Sequence, residues 1–206
     1  MQKFETLTAV AAPLAEKNVN TDIIIPIGRL VGTVRGTFGQ HAFEPWRFDA
    51  DGNPNPEFVL NQERYQDAQI LIAGPNFACG SSREGAVWAL QEFGIRVLMA
   101  PSFGGIFFSN CFQSGLLPIV LASDVIDDFM DQAANAPDGS TFRVDLESQL
   151  VTAPDGSVVS FETEAFRRQA LLAGLDDLGM TLKRADRIDA FQDADRKARP
   201  WIYPTV

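Results

Sequence analysis

The spacing of apolar residues along the chain changes character several times, and each change predicts a different kind of element. Phe4 to Ala11 alternates apolar and polar positions, as an opening strand does. Asn18-Val-Asn-Thr-Asp22 interrupts it and predicts a loop whose side chains fold back onto their own backbone, ahead of Ile23, Ile24, Ile25 and Pro26. Gly28 to Gly39 has neither a helical nor a strand period, and Asp51 to Pro56 is a turn-rich surface excursion from which Gln62 to Gln66 return the chain. The unbroken apolar run Ile70-Leu-Ile-Ala73 is short enough for a buried strand. After a glycine-bearing loop, Ala86, Val87, Leu90 and Phe93 recur at helical spacing. Arg96 to Ala100 predicts a second buried strand, and Pro101-Ser102 the start of a helix carrying Phe103, Ile106, Phe107, Asn110 and Cys111 and stopped by Gly115. Leu117 to Leu121 predicts a third strand, followed by a helix capped by Ser123 with Val125, Ile126, Phe129 and Met130 on one face. Strand and helix in alternation imply parallel pairing with right-handed crossovers.

The pattern then becomes antiparallel. Thr141–Asp145, Gln149–Thr152 and Ser157–Phe161 are short strands, the last two joined by Pro154-Asp-Gly156. Helices follow over residues 164–173 and 183–196, with Arg167, Arg168, Arg184 and Arg187 on solvated faces, and the apolar tail Pro200-Trp-Ile-Tyr-Pro204 has no helical period. At 206 residues the length suits a single domain over 1–206, with a core over about 1–162 and a helical extension over about 163–206.

Composition narrows the classes. A net charge of -10, from 27 acidic against 17 basic residues, argues against nucleic acid or an anionic membrane as partner. Arginine far outnumbers lysine, which suits a site that reads planar carboxylates. Cys79 and Cys111 are too few for a disulfide framework or for the ligands of an iron–sulfur cluster, and read best as small buried apolar residues. His41 is the single histidine, so no multi-histidine metal site comes from this chain alone. With no apolar run of membrane-spanning length and no leader-like opening, a cytoplasmic location is expected.

The candidate chemistry lies in Asn76-Phe-Ala-Cys-Gly-Ser-Ser-Arg-Glu84, between the buried run and its helix. A helix N-terminus offers unpaired N–H groups and the positive end of its dipole. Ser81, Ser82 and Arg83 add hydroxyls and a guanidinium, so a carboxylate would meet three kinds of donor. Ser81 with Glu84 also reads as a capping box, which needs only a helix to start there. Two serines and an arginine exceed what a cap requires. Asp22 is either tied down by local N–H groups or placed at a site, and Arg29 and Arg35 stand among the glycines of the 28–39 loop, which could serve as a lid. Used as a nucleophile instead, Ser81 would need His41 as its base.

Asn20-Thr-Asp-Ile-Ile-Ile-Pro26, Asn76 to Glu84, Ala100-Pro-Ser-Phe103, Asn110 and Gly115-Leu-Leu-Pro118, in this order, resemble the swivelling domain of the aconitase superfamily, and within it the bacterial small subunits of 3-isopropylmalate dehydratases. The similarity continues past Ala165-Phe-Arg-Arg168 and Gly174-Leu-Asp176, nearly the full length. It implies an α/β fold, a three-layer β/β/α domain of mixed sheet with a C-terminal antiparallel meander and helical extension. It also implies a hydro-lyase of leucine biosynthesis, active only with a large subunit that carries a [4Fe–4S] cluster, in a heterodimer or heterotetramer, and acting on a small dicarboxylate. No cofactor would be bound by this chain.

By the same resemblance Ser81 corresponds to the catalytic base that takes a proton from the carbon beside a carboxylate. Arg83 and Arg35 correspond to arginines that grip substrate carboxylates, Ser82 to a further donor, and Asp22 to an acidic position near the cleft. Two positions depart from the family pattern. Gly85 stands where histidine is usual, and Ile27 where lysine is frequent. These changes bear on specificity, and a diverged paralogue acting on another substituted malate, of methylmalate, dimethylmalate or homoaconitate type, is the alternative.

Overall fold

The computed structural model describes residues 1–80 and 83–203. Among the described residues, eight strands and eight α-helices follow in the order β1 Thr6–Ala9, β2 Ala11–Leu14, α1 Thr21–Ile24, α2 Glu44–Arg47, β3 Ile70–Ala73, α3 Glu84–Phe93, β4 Val97–Ala100, α4 Gly105–Ser114, β5 Leu117–Val120, α5 Ser123–Asn135, β6 Phe142–Asp145, β7 Leu150–Thr152, β8 Val158–Ser160, α6 Ala165–Ala173, α7 Asp177–Leu182 and α8 Ala185–Ala198. Strands β2-β3-β4-β5 form a parallel sheet, and β1-β6-β7-β8 a separate antiparallel one. The expected α/β architecture is present, with the two kinds of pairing divided between two sheets.

A period of two distributes the central strands between two cores. Ile70, Ile72, Val97 and Met99 face the gap between the sheets, where Phe142, Val144 and Val151 of the antiparallel sheet meet them with Ile126 and Phe129 of α5. Leu71, Ala73, Leu98 and Ala100 face the other way, onto Ala86, Val87 and Leu90 of α3 and Phe107 and Cys111 of α4. The strands β3 and β4 are therefore apolar on both faces, as sequence alone read for them.

Several boundaries differ from the sequence expectation. The opening strand is two: Ala9 pairs with Phe142 in one sheet and Ala11 with Ile70 in the other, so the ladder changes partner at Val10. Alternation survives the switch because both sheets bury the same side of the chain, which is why periodicity could not show it. Helix α3 starts at Glu84 with Arg83 in extended geometry as its N-cap. Glu84 is thus the first helical residue and cannot serve as the third-position arm of a capping box on Ser81; its carboxylate meets the positive end of the dipole instead. Helix α4 starts at Gly105, not at Pro101, because the backbone after β4 is taken up in a bridge to Phe77. Ser123 is the first residue of α5 and Ala122 its cap, without a side-chain hydrogen bond.

The helical extension also differs in detail. Helix α7, capped by the Asp176 carboxylate on the Gly179 N–H, precedes α8. Arg167 is not wholly solvated, since it pairs with Glu164 and lies over the rings of Phe108 and Phe112. The tail docks on its own chain through Tyr203, whose hydroxyl donates to Asp195. That bond holds the Asp195 carboxyl below its ordinary range and raises the Tyr203 phenol. Among the described residues no helix is long and apolar enough to cross a membrane.

Candidate active site

The loops leaving the C-terminal ends of β2, β3 and β4 are laced together into a shelf. Cys79 donates its N–H to the Val19 carbonyl, and the Thr21 N–H reaches the Cys79 carbonyl at 3.1 Å. On the other side the Phe77 N–H meets the Ser102 carbonyl and the Gly104 N–H meets that of Phe77. Asn76 bonds Ser102 Oγ through its backbone N–H and Asn18 Oδ1 through its side chain, both at 2.8 Å. Three non-glycine residues of the shelf, Asn18, Asn76 and Ala78, have φ near +55° to +59°. Such conformations cost on the order of 1–3 kcal/mol each and persist only where their surroundings impose them. A Cβ on Gly104 would overlap the Ala78 carbonyl, so close approach fixes glycine there. In open parallel sheets, ligands bind beyond the carboxyl ends of the strands, which is where this shelf lies.

Two short structures present charge on the shelf. The Asn20 side chain accepts the N–H groups of Asp22 and Ile23, each at 3.0 Å, and so starts α1. The expected fold-back of the 18–22 loop is present, but Asn20 performs it. Asp22 is left half exposed, and its carboxylate pairs with the Arg83 guanidinium, whose side chain is only 14% exposed. Arg83 is also the N-cap of α3, and no side chain among the described residues caps that helix. A mostly buried guanidinium thus stands at the positive end of the α3 dipole, where a carboxylate of a ligand would be favoured.

The structure brings Asp22 and Arg83 together and holds Arg35 elsewhere. Arg35 lies 4.2 Å above the Trp88 ring, with its Nε 3.5 Å from Glu92 in the last turn of α3. Ser81 and Ser82 lie outside the described residues; their neighbours are exposed Gly80 and partly exposed Arg83. Sequence reasoning passed over Asn18, Asn76, Ser102 and Glu92. The asparagines carried a signal, since Asn is the side chain that best tolerates the left-handed region. A glutamate in the last turn of a helix carried none.

A second polar group lies at the root of the 28–39 loop. Arg29 makes two hydrogen bonds to Glu44, at 2.8 and 2.6 Å, and His41 Nδ1 stands 2.9 Å from the same carboxylate. The Arg29 hydrogen bond holds the Glu44 carboxyl below its ordinary value. These residues line an open cleft of 770 Å³ with Gln40, Phe48 and Asp49. Their charges satisfy one another, whereas the shelf sets a charged pair at the N-terminus of α3, and it is the candidate site for that reason. His41 is engaged by Glu44 and Gln40, an arrangement that does not favour a serine–histidine pair. Cys111 is sealed in the core, where desolvation pushes its thiol up. Among the described residues no cluster of three or more histidine, cysteine or acidic side chains could hold a metal ion.

Comparison with known proteins follows the same elements. The aconitase C-terminal domain family matches residues 1–124, which include the whole shelf; the LeuD_N family matches 127–165, and the family of C-terminal domains of the 3-isopropylmalate dehydratase small subunit matches 177–205. The 3-isopropylmalate dehydratase small subunit of Jannaschia sp. is 52% identical over 98% of this chain and 100% of its own length. The chain belongs to the 3-isopropylmalate dehydratase small-subunit family. Another small subunit, from Rhodospirillum centenum, is 51% identical over 98% of both chains. A crystal structure of 3-isopropylmalate dehydratase from Methanocaldococcus jannaschii aligns with a TM-score of 0.65 at 26% identity, covering 91% of this chain and 99% of that one. Family membership thus extends through the shelf, the antiparallel sheet and the helical extension alike.

Proposed function

We propose that this chain is the small subunit of a 3-isopropylmalate dehydratase, a hydro-lyase that interconverts 2- and 3-isopropylmalate by loss and re-addition of water in leucine biosynthesis. The observation that carries the reading is identity near one half to relatives of that name over their whole length. The partner is the large subunit, in a heterodimer or heterotetramer, and it brings the [4Fe–4S] cluster, for which the two cysteines of this chain are too few. Bound on the partner, the cluster would supply the Lewis acidity that the departure of the substrate hydroxyl needs. The site works in the cytoplasm on a small dicarboxylate.

This chain binds, orients and moves the proton. Arg83, at the N-terminus of α3, takes a substrate carboxylate bidentately, and Asp22 fixes the plane of its guanidinium. Ser82 adds a hydrogen bond and Arg35 a second positive group. Ser81 removes the proton from the carbon beside the carboxylate. A serine hydroxyl is a weak base at neutral pH, so its oxyanion depends on the helix N-terminus and Arg83. The domain over 1–206 acts as one unit.

Reconstitution with the large subunit, assayed on a panel of alkyl-substituted malates, tests this. The isopropyl compounds are turned over best, and Ser81→Ala lowers kcat by roughly 10²- to 10⁴-fold. Turnover of a methyl- or dimethylmalate with none of the isopropyl compound would transfer the chain to the paralogue function, and full activity of Ser81→Ala would remove the serine from the chemistry.

A further inference from the structure

The segment from Ile27 to Phe38 lies along α3 and is fastened to it at three levels. Leu30 sits over Gly85 in the first turn, so closely that a Cβ there would overlap Leu30 Cδ2. Arg35 stacks on Trp88 in the middle. In the last turn Glu92 accepts the Gly36 N–H at 2.9 Å and the Phe38 N–H at 2.6 Å, with Oε1 also facing Arg35. Between these holds Val31 and Val34 project into solvent, and Gly32 and Gly36 have φ of +86° and +95° with open space around them. The segment is thus fixed at its ends and unsupported between them.

Trp88 and Glu92 follow Arg83 by five and nine residues, which sets the Arg35 guanidinium roughly 7–13 Å along the axis from the N-terminus of α3. It is loosely held there. Its side chain is 52% exposed, the ion pair is 3.5 Å long, and water competes for both contacts. A carboxylate seated at the α3 N-terminus beside Arg83 would offer a bidentate partner in a less hydrated place. We propose that Glu92 and Trp88 are positioning residues that park Arg35 away from the site, and that a substrate carboxylate draws it off them. This rests on reading Arg35 as a substrate clamp. Apparent affinity is then lowered by the fraction of molecules in which Arg35 is parked.

The test uses the enzyme reconstituted with its large subunit. Trp88→Leu and Glu92→Gln each release Arg35, and each lowers KM about three- to fivefold with kcat nearly unchanged. In an Arg35→Gln background, whose own KM is raised, neither substitution changes KM further. An equal fall in both backgrounds, or no fall in either, overturns the proposal by showing that the two residues act only on the loop. A separate readout is Trp88 emission in the full chain carrying Trp46→Phe and Trp201→Phe, which shifts on Arg35→Gln if the guanidinium is stacked. No shift overturns the parking itself; a shift with an unaltered KM in Arg35→Gln overturns the proposal through its clamp reading instead.

Discussion

Arg83 owes its usefulness to what surrounds it. Its side chain is mostly buried, its partner Asp22 is half exposed, and it stands as the N-cap of α3. Replacing a planar fork by a point charge leaves the charge and removes the paired donors. Arg83→Lys is therefore expected to lower kcat/KM on the order of 10- to 100-fold, and Asp22→Asn by less; kinetics equal to the parent for Arg83→Lys would rule out the clamp. Asp22 stood out in the chain as a charge beside an apolar run, where an unpaired ion is costly, and Arg83 as an arginine following two serines at the start of a helix. That they pair with each other was not visible, since 61 residues separate them. Glu44 gives a second residue-scale prediction. Its folded carboxyl titrates below the ordinary 4.5, so the stabilisation it gives is complete above that value and is lost as pH falls through the lower, folded value. Glu44→Gln should lower the thermal midpoint at pH 7, with the gap closing in acid below the ordinary glutamate range; a gap independent of pH would contradict the role of the Arg29 pair.

Among the elements, the central strands were readable because they are short apolar runs and the fold needs both of their faces. Helix starts were not. Those at Glu84 and Gly105 lie later than cap chemistry suggests, the second because the residues before it are held in a bridge to Phe77, and that at Ser123 lies one residue earlier, with Ala122 as the cap. The shelf belongs to this class of feature, being made of bridges between loops that are distant in sequence. Gly104→Ala tests how tightly the loops are laced. The new methyl meets a carbonyl rather than a mobile side chain, so the backbone must move. A loss of about 1–3 kcal/mol in urea unfolding is expected, together with lower activity. Parent-like stability would mean that the loops are free to separate.

At the scale of the whole molecule, the two sheets share one core, and Phe142 lies at its seam. It is buried, pairs with Ala9 in register, and its ring meets Phe129 of α5 edge-on with centroids 5.3 Å apart. Phe142→Ala should cost about 3–5 kcal/mol, read from the denaturant midpoint; a loss below about 1 kcal/mol would indicate that the sheets fold independently. Sequence periodicity delivered both sheets but not their join at Val10, where the chain leaves one ladder for the other without breaking step. That join governs the order in which the protein can be made. Thr6 to Ala9 find their partners only in Phe142 to Asp145, so a chain emerging from the ribosome can assemble its parallel sheet while its first strand still waits, unpaired, for about two-thirds of the polypeptide to be synthesised.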